Sequence, residues 1–379
     1  MPDIVNTPEE RAAFACGTSG YLSIDLGALV ANYQQLSRRN GDGLTAAVVK
    51  ADAYGLGARA VSQVLYKAGC RHFFVALARE AFDLRPHLPA DASLYILNGL
   101  MPGIEEACAD QDIIPVLNTT EQIRRWSALA MARGTPLPAV IQFDTGMSRL
   151  GLAPDEAEAL AAAQGILKPL DIRFLMSHLA CADTPASPAN AAQLAQMNTI
   201  RALFPGVPVS FANSGGLFLG DGFLQALARP GIALYGGAPN DAGPNPMQAV
   251  VSLYVAAIQT RTVPAGTQIG YGGTYVAERE MKLATIGAGY ADGLPRSLSP
   301  RGAVWLGNIR LPIVGRVSMD SLMVDVTGLP EGAIFEGSFV ELIGPHQSLD
   351  AIAADAGTIS YEILTALGRR FHRTYVGLE

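Results

Sequence analysis

The sequence contains little cysteine, and its cysteines are scattered. Among the 379 residues the four cysteines are Cys16, Cys70, Cys108 and Cys181, and none of them forms a CxxC pair. Disulfide-stabilised domains and cysteine-rich zinc sites depend on closely spaced cysteines. The five histidines show no HExxH spacing either. We therefore expect no disulfide framework, no metal site and a reducing compartment, the cytoplasm.

Excess positive charge and long apolar runs are also absent. The net charge is -7, and 16% of the residues are charged. A nucleic-acid-binding protein carries a basic patch, and a membrane-spanning helix needs about 18 apolar residues in a row. The first 19 residues lack the apolar stretch of a secretory signal. We expect no nucleic-acid partner and no membrane anchor.

The first two thirds of the chain alternate short apolar runs with helical patterns, and 49% of all residues are hydrophobic. The predicted strands are Leu44–Val49, His72–Ala76, Ser93–Leu97, Ile113–Leu117, Ala139–Phe143, Ile172–Ser177, Val207–Phe211 and Ile232–Tyr235. The predicted helices are Ala58–Ala68, Thr120–Ala132, Pro154–Ala163 and Ala189–Leu203. Eight strands alternating with helices are typical of a (β/α)8 barrel, although an open doubly wound sheet has the same local pattern.

The last third reads as a separate, mainly β domain. Its predicted strands are Val250–Ile258, Met281–Ile286, Ala303–Val317, Leu322–Val326 and Phe339–Ile343, and its predicted helices are Leu349–Asp355 and Tyr361–Gly368. Residues 238–246 include three prolines and no apolar period, which is typical of a linker. The expected organisation is an N-terminal arm over residues 1–20, a barrel over 21–247 and a β domain over 248–379.

Lys50 directly follows the first predicted strand, in the string AVVKADAYGLG of residues 47–57. The carboxyl end of a barrel strand is where barrel enzymes carry out their chemistry. A desolvated lysine there loses its proton more easily, which suits Schiff-base formation with a carbonyl. The alternative is a lysine that simply reaches solvent at a strand end.

Glycines and a serine follow the seventh and eighth predicted strands. Ser214 precedes Gly215 and Gly216, and Gly231 precedes Ile232. Loops at these two places bind phosphate in many barrels through backbone amides and small hydroxyls. Together with Lys50 they indicate pyridoxal phosphate, although ordinary turns remain the alternative.

A set of motifs across the chain resembles the alanine racemase family, which uses pyridoxal phosphate. The motifs are VVKADAYGLG at residues 48–57, FDTGMSRLG at 143–151, SHLACAD at 177–183, ANS at 212–214, RPGIALYG at 229–236, IGYGG at 269–273, GYADG at 289–293, VGRVSMD at 314–320 and ISYEIL at 359–364. The resemblance spans roughly residues 21 to 376. It implies the barrel with a C-terminal β domain, and a head-to-tail homodimer with shared active sites. It also implies supply of D-alanine for peptidoglycan.

The resemblance assigns catalytic roles to four residues. Lys50 would bind the cofactor covalently and act as one base, and Tyr271 of the partner subunit would act as the other. Racemisation removes a proton from one face and returns one to the other, so a single fixed group cannot easily serve both faces. Arg229 would donate a hydrogen bond to the pyridine nitrogen, which weakens the electron sink and suppresses side reactions. Arg149 would bind near the phenolic oxygen and the substrate carboxylate.

The resemblance also implies binding roles. His178 would pack against the cofactor ring, and Tyr290 would narrow the entrance. The expected cofactor-binding residues are Lys50, Tyr54, His178, Ser214, Arg229, Gly231, Ile232 and Tyr361. The expected substrate-binding residues are Arg149, Met319, Tyr290 and Tyr361.

Two positions depart from the family pattern. Gln142 stands where the family often has a carbamylated lysine, and we expect its neutral amide to accept a hydrogen bond from Arg149 without CO₂ chemistry. Ser210 stands where some members have a histidine that links Arg229 to the catalytic tyrosine. A hydroxyl can relay a hydrogen bond but carries no charge near neutral pH.

Other activities remain open at this point. A racemase of the same family with broader specificity, or one acting on serine, would share these motifs. A related decarboxylase would pair the ring nitrogen with an acidic residue and use a cysteine near the C-terminus, whereas this chain has Arg229 and no cysteine after Cys181. A single-barrel pyridoxal-phosphate carrier would lack the domain that holds Tyr271.

Overall fold

A computed structural model of the chain describes residues 7–299 and 301–377, with the backbone alone at Gln164. The chain divides into two compact units. The barrel unit comprises Leu29–Leu234 and Ala238–Met247, and the β unit comprises the chain up to Ala28, Tyr235–Gly237 and the chain from Gln248 onward. The first six residues of the expected N-terminal arm lie outside the described residues.

The barrel unit contains a parallel sheet of seven strands that follow one another in sequence order. The strands are Ala47–Val48, His72–Val75, Ser93–Ile96, Ile113–Leu117, Leu137–Gln142, Leu170–Met176 and Val209–Ser210. A further parallel pair, Leu44–Thr45 with Leu227–Ala228, continues the first strand. Backbone hydrogen bonds from Ala46 N to Ala228 O, at 2.8 Å, and from Arg229 N to Ala212 O, at 2.8 Å, close the sheet. The predicted (β/α)8 barrel is confirmed.

Helices lie before and between these strands. The helices are Leu26–Arg39, Ala58–Lys67, Ala78–Leu84, Glu105–Asp110, Thr120–Arg133, Pro154–Ala162 and Pro188–Leu203, of which the first begins in the β unit. In Ala58–Lys67, Val61, Val64 and Leu65 are buried at spacings of three and four residues, the period of one helix face. The Thr119 hydroxyl accepts a hydrogen bond from the Gln122 amide and so begins Thr120–Arg133.

The eighth predicted strand is placed wrongly in the sequence analysis. Ile232–Tyr235 forms a 3-10 turn, and the eighth barrel strand is the pair of residues Leu227–Ala228. Pro230 has no amide hydrogen, so it cannot donate the backbone hydrogen bond that would extend strand Leu227–Ala228. The Gly231 amide turns instead to the Ser214 hydroxyl at 2.9 Å. The eighth strand therefore ends before the apolar run Ile232–Tyr235 on which its prediction is based.

The β unit is built on an eight-stranded sheet within the described residues. In sheet order the strands are Met281–Ile286, Leu322–Asp325, Ile309–Val314, Ala303–Leu306, Phe339–Ile343, Val251–Val263, Gly20–Asp25 and His372–Val376. The segment predicted as one strand over Ala303–Val317 is a hairpin, because Gly307 has a φ of 55° and turns the chain. The helices of the unit are Pro8–Ala15, Leu349–Ala356 and Ser360–Ala366.

Part of the expected N-terminal arm belongs to this sheet. Thr7 begins helix Pro8–Ala15 with a reciprocal cap to Glu10. Strand Gly20–Asp25 then pairs antiparallel with Val251–Val263 and parallel with His372–Val376. Strand Gly20–Asp25 therefore lies between the first and the last strand of the C-terminal segment and pairs with both. No helix among the described residues is long and apolar enough to cross a bilayer.

Candidate active site

Lys50 begins an unusual turn at the carboxyl end of strand Ala47–Val48. The next four residues, Ala51 to Tyr54, all adopt left-handed backbone angles, with φ between 53° and 56°. Each such L-residue costs about 1–2 kcal/mol, so the surrounding structure must hold the turn. The Ala53 amide donates to the Val49 carbonyl at 2.9 Å, and the Gly55 amide donates to Ala51 at 2.8 Å. The turn thus fixes the backbone on both sides of the lysine.

The Glu80 carboxylate also holds this turn. One of its oxygens accepts hydrogen bonds from the Ala76 and Leu77 amides at 2.7 and 3.0 Å. The other oxygen accepts from the Ala51 amide at 2.5 Å. Glu80 thereby links the residue after Lys50 to the beginning of the next helix. The sequence analysis missed this residue, although a glutamate in the first turn of a helix after a strand is a recognisable capping signal.

Burial and two neighbouring charges shift the pKa of Lys50 in the barrel unit. Burial lowers the pKa of the Lys50 amine, the charge of Arg149 lowers it further, and Glu80 acts in the opposite direction. Burial also lowers the pKa of His178 to about 3, with the charges of Arg229, Arg149 and Lys50 as further causes. The structure therefore brings these four predicted residues into one electrostatic cluster. Such a cluster favours a neutral His178 and attracts anionic ligands.

Arg229 is buried, with 3% of its surface exposed. Its guanidinium donates to the Ser210 hydroxyl at 2.5 Å and to the Ser177 carbonyl at 2.6 Å. No carboxylate among the described residues forms an ion pair with it. Burial lowers the pKa of Arg229 to about 9, so the side chain remains a cation at neutral pH. A buried cation with only neutral partners is suited to donate to an acceptor such as a ring nitrogen.

Ser214, Gly231 and Tyr54 form a small polar cradle. The amides of Gly231 and Ala233 converge on the Ser214 hydroxyl at 2.9 and 3.3 Å. A Cβ atom at Gly231 would collide with the Tyr54 hydroxyl, so only glycine allows this close approach. Ile232 follows directly in the same 3-10 turn. Converging amides and hydroxyls of this kind suit a phosphate group.

Arg149 lies on a loop shaped by Asp144. The Asp144 carboxylate accepts from the amides of Gly146, Met147 and Ser148 at 2.8, 2.9 and 3.1 Å. Although burial acts to raise it, these hydrogen bonds lower the pKa of Asp144. The Arg149 side chain that follows is exposed. The hydrogen bonds of Asp144 thus hold the backbone of the loop that carries the Arg149 guanidinium.

Tyr271 lies at the tip of a hairpin in the β unit. Strands Gln268–Ile269 and Tyr275–Val276 pair antiparallel, and a turn of glycines with positive φ joins them. Ile269 belongs to a buried cluster with Val263, Met281 and Leu283, which anchors the hairpin. The Tyr271 side chain is 70% exposed and lines a cavity of about 570 Å³.

Tyr290 and Met319 are brought together within the β unit. The amide of Tyr290 donates to the Ser318 carbonyl at 3.0 Å, and the amide of Ala291 donates to the Met319 carbonyl at 2.9 Å. The Arg370 guanidinium joins the two segments, because it pairs with Asp292 at 3.2 Å and with Asp320 at 2.7 Å. Tyr361 lies separately in helix Ser360–Ala366 and is 42% exposed.

Gln193 is a second residue that the sequence analysis missed. It is buried in helix Pro188–Leu203, and its amide donates to the His178 carbonyl at 2.9 Å and to the Thr145 hydroxyl at 3.1 Å. Its oxygen accepts from the Ala180 amide at 2.9 Å. These bonds position the loop of His178. A glutamine within an apolar helix pattern gives no signal of this role in the sequence.

The barrel unit has the features of a site for a phosphorylated aldehyde cofactor. It offers a lysine with a lowered pKa, a buried arginine without a carboxylate partner, and a cradle in which a Cβ at Gly231 finds no room. Each matches one part of pyridoxal phosphate: its aldehyde, its ring nitrogen and its phosphate. Within residues 7–299 and 301–377, no group of three or more His, Cys, Asp and Glu side chains could hold a metal ion. The fold and site define a barrel protein with a buried lysine at a strand end and a polar cradle suited to a phosphate group.

Comparison with known proteins identifies the family. Residues 24–239 match the model of the alanine racemase N-terminal domain, and residues 250–375 match that of the C-terminal domain. A catabolic alanine racemase from Agrobacterium fabrum is 60% identical, over 97% of this chain and 94% of its own. The chain belongs to the alanine racemase family of isomerases, as its motifs predict.

Solved structures agree with this assignment. The alanine racemase from Bartonella henselae, with covalently bound pyridoxal phosphate, has a TM-score of 0.92 and 44% identity, covering 94% of this chain and 99% of that chain. A biosynthetic alanine racemase from Pseudomonas aeruginosa has a TM-score of 0.87 and 33% identity, covering 95% of this chain and 99% of that chain. The match extends over both domains, which disfavours a single-barrel carrier, and the 60% identity to an alanine racemase favours a racemase over a related decarboxylase.

Proposed function

We propose that the protein interconverts L-alanine and D-alanine, with pyridoxal phosphate bound to Lys50. The observation that carries this proposal is the position of Lys50. It lies at the carboxyl end of a barrel strand, directly before a left-handed turn, and burial lowers its pKa. The likeness to a racemase with covalently bound pyridoxal phosphate supports the same assignment.

The surrounding residues suit each part of the cofactor. Ser214, Tyr54 and the Gly231–Ile232 turn would hold the phosphate, and His178 would pack against the ring as a neutral imidazole. Arg229 would donate a hydrogen bond to the ring nitrogen while its other contacts hold it in place. When bound, pyridoxal phosphate withdraws electrons from the substrate and so acidifies its α-hydrogen.

Two bases divide the proton transfers. Lys50 would hold or release a proton at Nζ on one face of the substrate, because its lowered pKa makes the neutral amine accessible. Tyr271 would do the same with its hydroxyl on the other face. A positioned hydroxyl on a glycine-rich hairpin suits this role, since the glycine turn leaves its surface open. Arg149 and the Met319 amide would bind the substrate carboxylate, with Tyr290 and Tyr361 narrowing the entrance.

A second copy of the chain would supply Tyr271. The exposed fractions of Tyr271, Met319, Tyr290 and Tyr361 are 70%, 52%, 44% and 42%. Large side chains so exposed are typical of surfaces that another chain covers. We infer a head-to-tail homodimer in which each active site uses residues of both subunits.

The physiological direction has two candidates. Formation of D-alanine for peptidoglycan in the cytoplasm is the role that the sequence motifs suggest. The 60% identical relative carries a catabolic label, which supports use of alanine as a nutrient. Deletion of the gene distinguishes them: a biosynthetic role predicts D-alanine auxotrophy, and a catabolic role predicts failure to grow on alanine as the carbon source.

The activity is tested with two variants of the purified protein. Lys50→Ala should lose the visible absorbance of covalently bound cofactor and all racemisation. Tyr271→Phe should keep the absorbance and lose about 10²–10⁴-fold in racemisation of both enantiomers, measured by polarimetry. Full racemisation by Lys50→Ala, or a colourless wild-type protein in excess pyridoxal phosphate, would contradict the proposal.

A further inference from the structure

Glu80 makes two contacts beyond the one that caps its helix, the first to the amide of Ala76 and the second to the amide of Ala51. Its Oε2 atom caps the first turn of helix Ala78–Leu84, as a glutamate at that position commonly does. Its Oε1 atom accepts a hydrogen bond from the amide of Ala51, which lies 29 residues earlier and directly after Lys50. The second contact has no part in beginning the helix.

Glu156 provides a comparison within the same unit. It occupies the same third position in helix Pro154–Ala162 and accepts a hydrogen bond from the Ala153 amide at 2.9 Å. This single contact is sufficient to cap that helix. The reach of Glu80 to Ala51 therefore serves the lysine turn rather than helix Ala78–Leu84.

The backbone after Lys50 needs such support. Ala51 is the first of the four consecutive left-handed residues, and a left-handed conformation is unfavourable for alanine. A hydrogen bond from an amide to a carboxylate is stronger than one to a neutral oxygen. Glu80 places this stronger bond at the first residue of the unfavourable turn.

Glu80 also carries a negative charge that acts on Lys50. Arg149, His178 and Arg229 are the other titratable or charged groups that interact electrostatically in this cluster, and each is neutral or cationic. Glu80 is the one carboxylate among the causes that shift the Lys50 pKa in the described structure. It favours the protonated amine, whereas burial and Arg149 favour the neutral one.

We propose that Glu80 is a positioning residue for Lys50. Its carboxylate holds the left-handed turn that aims the lysine, and its charge balances the cations around the amine. The inference rests on the proposed function, because it takes Lys50 as the catalytic lysine. Neither the family motifs nor the capping pattern assigns this role.

The first test is amide hydrogen exchange in the full-length purified enzyme. Glu80→Gln should exchange about tenfold faster than wild type in the peptide covering residues 49–57, because the charged acceptor is lost. Glu156→Gln, the matched control, should leave this peptide unchanged and affect only the region near Ala153. If residues 49–57 exchange at the same rate in both variants, Glu80 only caps its helix and does not hold the lysine turn.

The second test is the pH dependence of kcat, which reports the groups of the enzyme–substrate complex, where Lys50 carries a free amine. Loss of the Glu80 charge lowers the pKa of Lys50, so the acidic limb for Glu80→Gln should move to lower pH. Glu80→Asp keeps the charge and should retain the wild-type limb while kcat falls. If Glu80→Gln keeps the acidic limb of the wild type, the claim that the Glu80 charge acts on Lys50 is wrong. Amide hydrogen exchange does not depend on catalysis, so it tests the role of Glu80 even if the proposed function is wrong. The proposed function is decided by Lys50→Ala alone. Failure of the Glu80 proposal can therefore be distinguished from failure of the proposed function.

Discussion

The buried side-chain amide of Gln142 donates a hydrogen bond to the Leu150 carbonyl at 3.1 Å. The sequence analysis predicts a different contact, in which this amide accepts a hydrogen bond from Arg149. The Arg149 side chain is exposed, and Gln142 acts on the backbone of the residue that follows it. The amide therefore positions the arginine loop rather than the guanidinium itself.

This contact predicts an enzyme that is independent of bicarbonate. A carbamate forms on an amine, and Gln142 has none. Added bicarbonate should leave kcat and KM unchanged. Gln142→Leu leaves the Leu150 carbonyl unpaired and should raise the KM for alanine about tenfold, since the lost bond stabilises by about 1–1.5 kcal/mol. A marked rise in wild-type activity with bicarbonate would contradict this prediction.

Ser210→Ala tests how Arg229 is held. The Ser210 hydroxyl donates to the Leu227 carbonyl at 2.8 Å and accepts from Arg229 at 2.5 Å. The variant leaves one guanidinium N–H and one carbonyl without these partners, at a cost of about 1–3 kcal/mol. Thermal unfolding should show a lower Tm. If Ser210→Ala also lets Arg229 move from its position, racemase activity should fall together with the Tm.

Ser210→Thr is the matched control, because it keeps the hydroxyl. It should retain most of the Arg229 contact and lie closer to wild type than Ser210→Ala in both measurements. If alanine and threonine at this position give the same Tm, the hydroxyl does not hold Arg229.

His178 predicts an acid-dependent loss of stability. Its pKa is lowered to about 3 in the folded state, against an ordinary value near 6.5 in the unfolded chain. Below pH 6.5 the unfolded chain binds a proton that the folded protein does not, so stability falls as the pH drops toward 3. The expected slope from this residue is roughly 1.4 kcal/mol per pH unit.

Urea unfolding at several pH values measures this effect. His178→Gln removes the titrating group, so the difference in unfolding free energy between the variant and wild type should grow in favour of the variant below pH 6.5. Parallel curves for the two proteins between pH 6.5 and 4 would show that His178 titrates normally.

Tyr271→Phe should separate hydrogen exchange from racemisation. Lys50 remains in this variant and still moves a proton on its own face of the substrate. In D₂O the α-hydrogen of one enantiomer should therefore exchange with solvent while racemisation of both enantiomers falls. Proton NMR of each enantiomer follows the exchange. Equal loss of exchange for both enantiomers would mean that Tyr271 does not act on one face alone.

Much of the fold is predictable because its strands are strongly apolar. Ile113–Leu117, Met281–Ile286 and Phe339–Ile343 have the predicted bounds. The barrel strand Leu227–Ala228 is too short for a periodic signal, so the neighbouring apolar run Ile232–Tyr235 is mistaken for it. Two-residue strands exist through their pairing partners, which are distant in the sequence.

The candidate site is predictable where chemistry and strand ends coincide, as at Lys50. The left-handed turn after it is not, because Ala51, Ala53 and Tyr54 disfavour positive φ and a single tolerant residue, Asp52, does not predict four in a row. The turn is stabilised by distant contacts such as that of Glu80. Contacts of this kind depend on tertiary structure, and the same holds for the role of Gln193 beneath His178.

A mixture of two inactive subunits tests the two-base, two-chain account most directly. Lys50→Ala and Tyr271→Phe chains, each tagged differently, are unfolded together, refolded with pyridoxal phosphate and purified as the mixed dimer. One of its two sites would then combine an intact Lys50 with an intact Tyr271, so the mixture should recover about half of the wild-type kcat while each parent dimer stays inactive. A mixed dimer that is as inactive as its parents would contradict the account.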